Sequence, residues 1–310
     1  MKLKPLKILL ISHEDADGYG CNVVAEICLN GHQVDTENLG YGKINKRILQ
    51  LINSGEADNY DYIYITDISV NEEVAELIDK KISQKVILLD HHKSAMFLNK
   101  YTWAYVGNED ENGRLICGTK LLYRHLVDAE DRVEDNLYDF VEMINYYDTW
   151  LWKKEDVIEA KRLNDLFKLL GPQEFIKAFV MNFYVNGEIS NVDDVLSEYN
   201  QLLNINQKQI DDYIIRKNSS LQKREVLGYN AGIVFAENYL SELGNALCEM
   251  NPDIDFVIMI NMLTASIRSV KEDIDCSKIA EHFGGGGHAP AAGFRCNQDK
   301  VQNFLNNLLI

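Results

Sequence analysis

Short apolar runs alternate with helical patterns in the first third of the chain, and each run stops at an acidic residue or a histidine. The first run covers residues 7–12 and stops at the segment HEDADG, residues 13–18, and later runs cover residues 61–66 and 85–89. Apolar, β-branched runs of this length are typical of buried strands. Their alternation with helices predicts a mostly parallel sheet with right-handed crossovers.

Side chains of the metal-ligating type follow these three predicted strands. Because the carboxyl ends of parallel strands lie at one edge of a sheet, where α/β proteins bind ligands, we expect these side chains to meet. Imidazoles and carboxylates at alternate positions can converge on divalent cations, and Gly18 allows a tight turn. For the first segment alone, a polar loop without a metal is an equal alternative. The residues are His13, Asp15 and Asp17 after the first strand, Asp67 after the second, and Asp90, His91 and His92 after the third.

Length and composition indicate a soluble enzyme with more than one domain. A chain of 310 residues exceeds the size at which one core grows comfortably, so two domains are expected. Charged residues make up 25% and hydrophobic residues 46% of the chain, which are ordinary values for a globular protein. No apolar run reaches about 18 residues and the first residues do not resemble a signal peptide, which predicts a cytoplasmic protein with no membrane partner.

Cysteine usage and net charge argue against several other classes. The six cysteines are dispersed without a C-x-x-C pair, so we expect reduced cysteines in or near the core and no zinc ribbon or disulfide framework. The net charge of −17 argues against duplex DNA as a partner. A small phosphate-bearing ligand, held by a metal and a few cationic side chains, is compatible with this charge.

The pattern of predicted elements changes along the chain. Residues 161–222 are almost entirely helical in pattern, and short strands and helices follow them. We therefore predict an α/β protein with three parts. These are an N-terminal domain, 1–190, with a mostly parallel sheet flanked by helices, a helical connector, 191–222, and a smaller C-terminal α+β domain, 223–310.

Local signals predict several helix ends. The first helix is expected over 19–30, with Gly31 directly after it. In the C-terminal domain, Ser277 is expected to cap a helix, and a terminal helix is expected from Asp299. Glycines 284–287 then follow the capped helix, and a glycine run of this kind most often forms a flexible turn.

Two further segments complete a recognisable set of motifs. Asp148 stands in the segment YDTW, and the C-terminal domain contains GGGGHAPAAGF at residues 284–294. With the strand-end residues, the order and spacing resemble the DHH phosphoesterase superfamily with its type 1 associated domain, DHHA1, over nearly the whole chain. The short H-x-D-x-D-G spacing is similar both to RecJ-type exonucleases and to the oligoribonuclease branch of this family, and the YDTW segment also resembles that branch. The additional DNA-binding domains of RecJ-type exonucleases have no room in this chain, and family pyrophosphatases carry a different second domain.

The resemblance implies two Mn²⁺ ions in one active site, with a hydroxide activated by both ions as the nucleophile. Mixed imidazole and carboxylate ligands would also accept Co²⁺ or Zn²⁺, so the identity of the metal rests on the resemblance. The family pattern implies one ion on His13 and Asp15, the other on Asp17, His91 and Asp148, and Asp67 as the bridge between them.

The remaining site residues are expected near the phosphate. Asp90 is expected to orient a histidine, and its direct contact with a metal stays open. His92 is expected to contact the phosphate or the leaving oxygen as a proton donor, with a structural histidine as the alternative. Arg268 is expected to pair with phosphate oxygens, with a surface arginine as the alternative. In the substrate loop that the resemblance implies, the binding residues are Gly285, Gly286, Gly287 and His288.

The predicted function is an Mn²⁺-dependent phosphodiesterase that releases nucleoside monophosphates from very short oligoribonucleotides. Hydrolysis of cyclic or linear dinucleotides, or of 3′-phosphoadenosine 5′-phosphate, is the alternative within the same class. A non-catalytic nucleotide sensor is less favoured because every expected ligand is present, and a RecJ-like exonuclease is less favoured because the chain is short. The expected partners are thus short oligoribonucleotides or dinucleotides, and a homodimer is compatible with the sequence.

Overall fold

A five-stranded, fully parallel sheet forms the centre of the first part of the chain. The structure, a computed structural model, describes residues 4–127 and 135–299, apart from the side chain of His288. The strands are β1 (Lys7–Ser12), β2 (Gln33–Asn38), β3 (Tyr62–Thr66), β4 (Val86–Asp90) and β5 (Ala104–Val106). They follow the order β2-β1-β3-β4-β5, which confirms the predicted parallel sheet. The order reverses between β1 and β3, and open α/β sheets bind their ligands at such a switch point.

Helices cover both faces of this sheet, because successive residues of a strand point to opposite faces. In β1, Ile8 and Leu10 join one hydrophobic core, and Leu9 and Ile11 join the other. The helices are α1 (Ala16–Cys28), α2 (Tyr41–Ser54), α3 (Glu72–Lys81), α4 (Gly118–Leu126), α5 (Asn136–Asp148), α6 (Leu151–Lys154), α7 (Ile158–Leu170), α8 (Pro172–Asn186), α9 (Val192–Glu198) and α10 (Asn200–Ser219). Helices α2 and α3 pack in the second core, and α1, α4, α5, α7, α8 and α9 in the first.

The start of α1 differs from the predicted start at residue 19. The helix begins at Ala16, because the Asp15 side chain accepts a hydrogen bond from the Gly18 N–H at 3.0 Å and so caps the first turn. Gly18 therefore lies inside the helix and does not form the predicted tight turn. A Cβ at this position would clash with the backbone of His13, so glycine is required by close packing.

The chain divides into two compact units, Met1–Leu203 and Asn204–Ile310. The division falls within α10, inside the segment 191–222 that the sequence predicts to be a helical connector. No helix in the described ranges is both long and apolar enough to cross a membrane.

The second unit contains a six-stranded mixed sheet. Its strands are β6 (Gln222–Val226), β7 (Tyr229–Phe235), β8 (Phe256–Ile260), β9 (Thr264–Arg268), β10 (Gly286–His288) and β11 (Ala291–Arg295). They follow the order β10-β11-β9-β8-β7-β6, and of these pairs only β7 with β8 is parallel. Among the described residues of this unit, α11 (Leu240–Met250) and α12 (Cys276–His282) accompany the sheet. This arrangement confirms the predicted α+β character of the C-terminal part.

One local prediction in the second unit is wrong. The cap of α12 is Asp275 and not Ser277, since the Asp275 carboxylate accepts the Ser277 N–H at 3.0 Å. For the glycine run, the alternative of a flexible turn does not hold throughout, because Gly286 and Gly287 pair with β11 in an antiparallel ladder. The terminal helix predicted from Asp299 lies, beyond that first residue, outside the described residues.

Candidate metal centre

The predicted ligands of the first unit meet at the carboxyl edge of the parallel sheet. His13 follows β1, Asp67 follows β3 and Asp90 ends β4, so the switch point of the sheet brings their side chains together. Ligand atoms within each of three overlapping groups lie no more than 4.8 Å apart. The groups are His13, Asp15 and Asp67, then Asp17, His91 and Asp148, and finally Asp67, Asp90, His91 and His92.

Asp67 lies at the centre of this arrangement and is 1% exposed. Its Oδ1 is 3.1 Å from the His91 Nε2, and its Oδ2 is 3.9 Å from the His13 Nδ1. Oδ2 is buried without a hydrogen-bond partner among the described residues. Burial, reinforced by repulsion from neighbouring carboxylates, raises the pKa of Asp67 well above its ordinary value. A divalent cation would satisfy a buried carboxylate oxygen that has no donor, on a side chain that lies between two imidazoles and near further acids.

The backbone of Asp67 is also unusual, with φ at 58°. A non-glycine residue in the left-handed region is uncommon, and such positions concentrate at functional sites. This conformation turns the chain immediately after β3 at the edge where the other ligand-type residues lie.

Asp17 is held by the N-terminus of α4. Its Oδ2 accepts the Gly118 N–H at 2.7 Å, its Oδ1 accepts the Thr119 N–H at 2.8 Å, and the Thr119 hydroxyl donates to the Asp17 carbonyl. These contacts at a helix N-terminus fix the orientation of the carboxylate. Its Oδ2 also lies 3.6 Å from the His91 Nε2.

Gly118 is a residue of this site that the sequence did not indicate. A Cβ at position 118 would lie 2.5 Å from the Asp67 Cβ and 3.0 Å from the Asp17 Oδ2, so both carboxylates would have to move. We expect Gly118→Ala to weaken Mn²⁺ binding by roughly 10- to 100-fold, the range seen when groups that support metal ligands are changed. Isothermal titration calorimetry with Mn²⁺ measures this change.

Gly42→Ala is the matched control for this substitution. Gly42 lies in α2, where a Cβ would meet nothing within 4 Å, so this variant should bind Mn²⁺ like the wild type. A folded Gly118→Ala protein with wild-type Mn²⁺ affinity would contradict the assignment of Asp17 and Asp67 to a metal site.

Asp15 and Asp148 border a cavity of about 90 Å³ that Asp17 also lines. Burial raises the pKa of Asp148 to about 7. Repulsion from the Asp17 and Asp15 carboxylates adds to this effect, and attraction to His91 opposes it. Asp15 behaves differently because its Oδ2 is 2.7 Å from the His13 Nδ1. Burial alone would raise the pKa of Asp15, but this hydrogen bond and the charge of His13 hold it below its ordinary value.

Asn164 lines the same cavity and was missed by sequence reasoning. It lies on α7, is 5% exposed, and its Nδ2 is buried without a hydrogen-bond partner among the described residues. A buried amide donor that lacks an acceptor is costly, so an oxygen atom of a bound water or ligand would stabilise it.

Asp90, His92 and Tyr41 form a hydrogen-bonded chain beside the cluster. The buried Asp90 carboxylate accepts a hydroxyl hydrogen bond from Ser69, and its Oδ1 is 2.7 Å from the His92 Nδ1. Burial alone would raise the pKa of Asp90, but these contacts hold it below its ordinary value. The ionised carboxylate therefore accepts the hydrogen bond that the His92 Nδ1 donates. The His92 Nε2 lies 2.9 Å from the Tyr41 hydroxyl. Asp90 therefore has the geometry for orienting His92, and Tyr41, which the sequence did not indicate, completes the chain.

In the second unit, the predicted substrate residues share part of the sheet. Arg268 at the end of β9 is opposite Ala291 of β11, and Ala291 is opposite His288 of β10, so the three backbone positions form one row. The half-buried Arg268 guanidinium donates to the Ile267 carbonyl at 3.0 Å and to the Ser241 hydroxyl at 3.4 Å.

The three predicted glycines of the substrate loop have different surroundings. A Cβ at Gly285 would clash with the Gly293 carbonyl, and one at Gly287 would lie 2.5 Å from the Ala292 Cα. These two glycines are therefore required for close packing against β11. Gly286 differs, since a Cβ there would meet nothing within 4 Å.

A parallel sheet with an acidic and imidazole cluster at its switch point, followed by a unit with a glycine-rich strand, defines a phosphoesterase of the DHH class. The DHHA1 domain family matches residues 240–309. The chain is 36% identical over 302 residues to the oligoribonuclease NrnB of Bacillus subtilis, covering 96% of this chain and 74% of the relative. The chain belongs to the DHH phosphoesterase family with a DHHA1 domain, and it is a phosphoesterase.

Other similar proteins are more distant. A 3′,5′-cyclic-nucleotide phosphodiesterase of Helicobacter pylori is 23% identical, with 97% of this chain and 99% of the relative covered. Exonuclease RecJ bound to manganese aligns with a TM-score of 0.58 at 13% identity, over 97% of this chain and 88% of that one. The pGpG-specific phosphodiesterase PggH of Vibrio cholerae aligns at 0.55 and 12% identity, over 97% of both chains. The two structural alignments show that the fold is shared.

Proposed function

We propose that this phosphoesterase hydrolyses very short oligoribonucleotides to nucleoside monophosphates and depends on two Mn²⁺ ions. The observation that carries the metal requirement is the buried, unpartnered Asp67 Oδ2 between two groups of ligand-type side chains. The similarity to an oligoribonuclease over 96% of the chain supports the substrate class. The net charge of −17 further favours a short substrate over a long duplex.

The residues present fit a pair of divalent cations. When bound, such a pair activates water and neutralises charge on the phosphoryl oxygens. His13 and Asp15 would hold one ion, Asp17, His91 and Asp148 the other, and Asp67 both.

His92 and Asp90 supply the proton chemistry in this proposal. The Asp90 carboxylate holds the Nδ1 proton and stabilises the positive charge of the protonated ring. Nε2 then donates to the oxygen that leaves the phosphorus atom, after displacing the Tyr41 hydroxyl.

Residues 1–190 would form the catalytic domain, 191–222 the connector and 223–310 the substrate-binding domain. Arg268 is suited to pair with phosphate oxygens because its planar guanidinium makes two parallel hydrogen bonds. In the substrate loop, the space around Gly286 would allow a phosphate to approach the backbone closely. Phosphate binding is the role proposed for the whole loop, Gly285, Gly286, Gly287 and His288.

Arg268→Ala should raise the KM for a diribonucleotide by about 10- to 100-fold, because it removes charge-assisted hydrogen bonds to phosphate. The Mn²⁺ affinity should stay at the wild-type value. Steady-state kinetics and calorimetry measure the two quantities. Arg295→Ala, on the exposed surface of β11, is the control and should leave KM unchanged. A loss of Mn²⁺ affinity in Arg268→Ala would contradict the proposed division of roles.

A substrate panel tests the proposed function. The full chain with Mn²⁺ is incubated with di- to pentaribonucleotides, a long single-stranded DNA, cyclic nucleotides, cyclic and linear dinucleotides, and 3′-phosphoadenosine 5′-phosphate, and the products are resolved by mass. We expect nucleoside monophosphates from the short ribonucleotides at the highest kcat/KM, and no product with EDTA. Short ribonucleotides that stay intact would contradict the proposal.

Hydrolysis of cyclic nucleotides or dinucleotides is the second candidate function. It is favoured by the similarity to a 3′,5′-cyclic-nucleotide phosphodiesterase along 99% of that relative. A higher kcat/KM for a cyclic substrate than for a diribonucleotide in the same panel would establish this candidate in place of the first.

A further inference from the structure

A second, larger cavity lies beside His92 within the first unit. Its volume is about 440 Å³, within the range of roughly 300–1,000 Å³ that is usual for small-molecule sites. It directly borders the catalytic cluster, because Asp90 and His92 belong to its lining. Other parts of the lining come from α2, through Tyr41 and Asn45, and from the 3-10 helix Lys93–Lys100, through Phe97.

We propose that this cavity binds the nucleoside whose oxygen leaves the scissile phosphate. This inference rests on the proposed function and assigns the base-recognition subsite of that reaction. In hydrolysis the bond between phosphorus and this oxygen breaks, water supplies the new oxygen on phosphorus, and a proton passes to the leaving oxygen. His92 lines the cavity, and its Nε2 contacts the hydroxyl of Tyr41, which also lines it, so a nucleoside bound there can place its leaving oxygen beside Nε2.

The charge of the lining favours a neutral group over a phosphate. Among the described residues that line the cavity, none is a lysine or an arginine, whereas Asp90 and Glu72 are acidic. Because the Glu72 carboxylate is paired with Lys100 at 2.6 Å, repulsion of a phosphate would come mainly from the buried Asp90 carboxylate. A ribose and base carry no charge and avoid this repulsion.

The lining also provides the groups that recognise a base. The Phe97 ring is 41% exposed and offers an apolar surface on which a base can stack. The Asn45 Oδ1 accepts the Asn71 backbone N–H at 2.9 Å, which orients the amide. Its Nδ2 donates no hydrogen bond within the described part of the chain and is free to donate to an acceptor on the base.

Phe97→Ala is the primary test, with Met96→Ala as its matched control. Met96 precedes Phe97 in the same 3-10 helix and is 49% exposed, but it does not line the cavity. Loss of a stacked base should raise the KM for a diribonucleotide by about tenfold or more in Phe97→Ala. The Met96→Ala protein should keep the wild-type KM, and both variants should keep the wild-type Mn²⁺ affinity.

Abasic analogues identify which nucleoside the cavity binds. Two dinucleotide analogues are compared. The first lacks the base of the nucleoside that leaves, and the second lacks the base of the nucleoside that keeps the scissile phosphate. The products of the wild-type reaction show which nucleoside is which. We expect Phe97→Ala to leave the KM of the first analogue unchanged and to raise the KM of the second analogue as much as that of the intact dinucleotide. Equal effects on both analogues, or no effect on the intact dinucleotide, would overturn the proposal.

Asn45→Asp provides an independent variant, since it keeps the acceptor for Asn71 and replaces the amide donor with a charged carboxylate oxygen, a change of charge that the Asn53→Asp control shares. It should raise the KM severalfold, whereas Asn53→Asp, the same change elsewhere on α2, should not. Ligand-observed NMR of adenosine and cytidine with the metal-free protein separates binding from turnover. Saturation transfer that disappears in Phe97→Ala supports the subsite even if no ribonucleotide is hydrolysed. Wild-type saturation transfer in Phe97→Ala, or none in the wild type, would contradict it.

Discussion

Asp67→Asn should lower kcat for short oligoribonucleotides by more than about 10³-fold. The loss should exceed the effect of removing a single hydrogen-bond donor to the transition state, which is roughly 10²- to 10³-fold, because Asp67 belongs to two of the three groups of ligand-type side chains and is proposed to hold both ions. Asparagine has nearly the same shape, so the fold should be preserved. The measurement is turnover of a diribonucleotide at saturating Mn²⁺.

Thermal unfolding supplies a second readout for Asp67→Asn. A ligand that binds only the folded state stabilises it by about 2.7 kcal/mol at a hundred times its Kd, so Mn²⁺ should raise the Tm of the wild type. The increase should be much smaller in the variant. Asp58→Asn, at an exposed position of the 3-10 helix Glu56–Asn59, should respond to Mn²⁺ like the wild type. Equal Mn²⁺-induced shifts in wild type and Asp67→Asn would contradict the bridging role.

His92→Gln should lower kcat by about 10²- to 10⁴-fold, the range expected for loss of a general acid. The Mn²⁺ affinity should remain near that of the wild type, because His92 is proposed to act on the leaving oxygen and not on the metal. Asp90→Asn should lower kcat less, since it weakens the orientation of the ring through the 2.7 Å contact with Nδ1. Single-turnover kinetics and Mn²⁺ titration measure both effects.

The control for His92→Gln is His125→Gln. His125 lies on α4, where its ring contacts Tyr64 and belongs to none of the groups of ligand-type atoms. This variant should keep wild-type turnover. A large drop in Mn²⁺ affinity for His92→Gln would instead make His92 a metal ligand, because its ring lies in a group with Asp67, Asp90 and His91.

Much of the first unit could be predicted from sequence because its signals are local. Apolar runs bounded by polar residues predicted β1 within its observed bounds and β3 and β4 to within a residue. The expectation that ligand-type residues meet followed from a general property of parallel sheets, and the structure brings His13, Asp67 and His91 to the same edge. Local sequence therefore suffices where strand ends themselves determine the position of a side chain.

The supporting residues could not be predicted because they depend on contacts between distant parts of the chain. Gly118 and Thr119 hold Asp17 across about a hundred positions of sequence, and neither stands in a motif. Asn164 is a polar residue in a segment that the sequence predicts to be helical but in which no motif marks a site. The predicted start of α1 is wrong because the sequence assigns Asp15 only as a metal ligand. Its side chain also caps α1, although it lies in a group of ligand-type atoms.

Anomalous diffraction at the manganese edge, from crystals of the full chain soaked in millimolar Mn²⁺, tests the central claim most directly. We expect two peaks, one beside His13 and Asp15 and one beside Asp17, His91 and Asp148, with Asp67 next to both. Peaks elsewhere, or no peak among these side chains at saturating Mn²⁺, would contradict it.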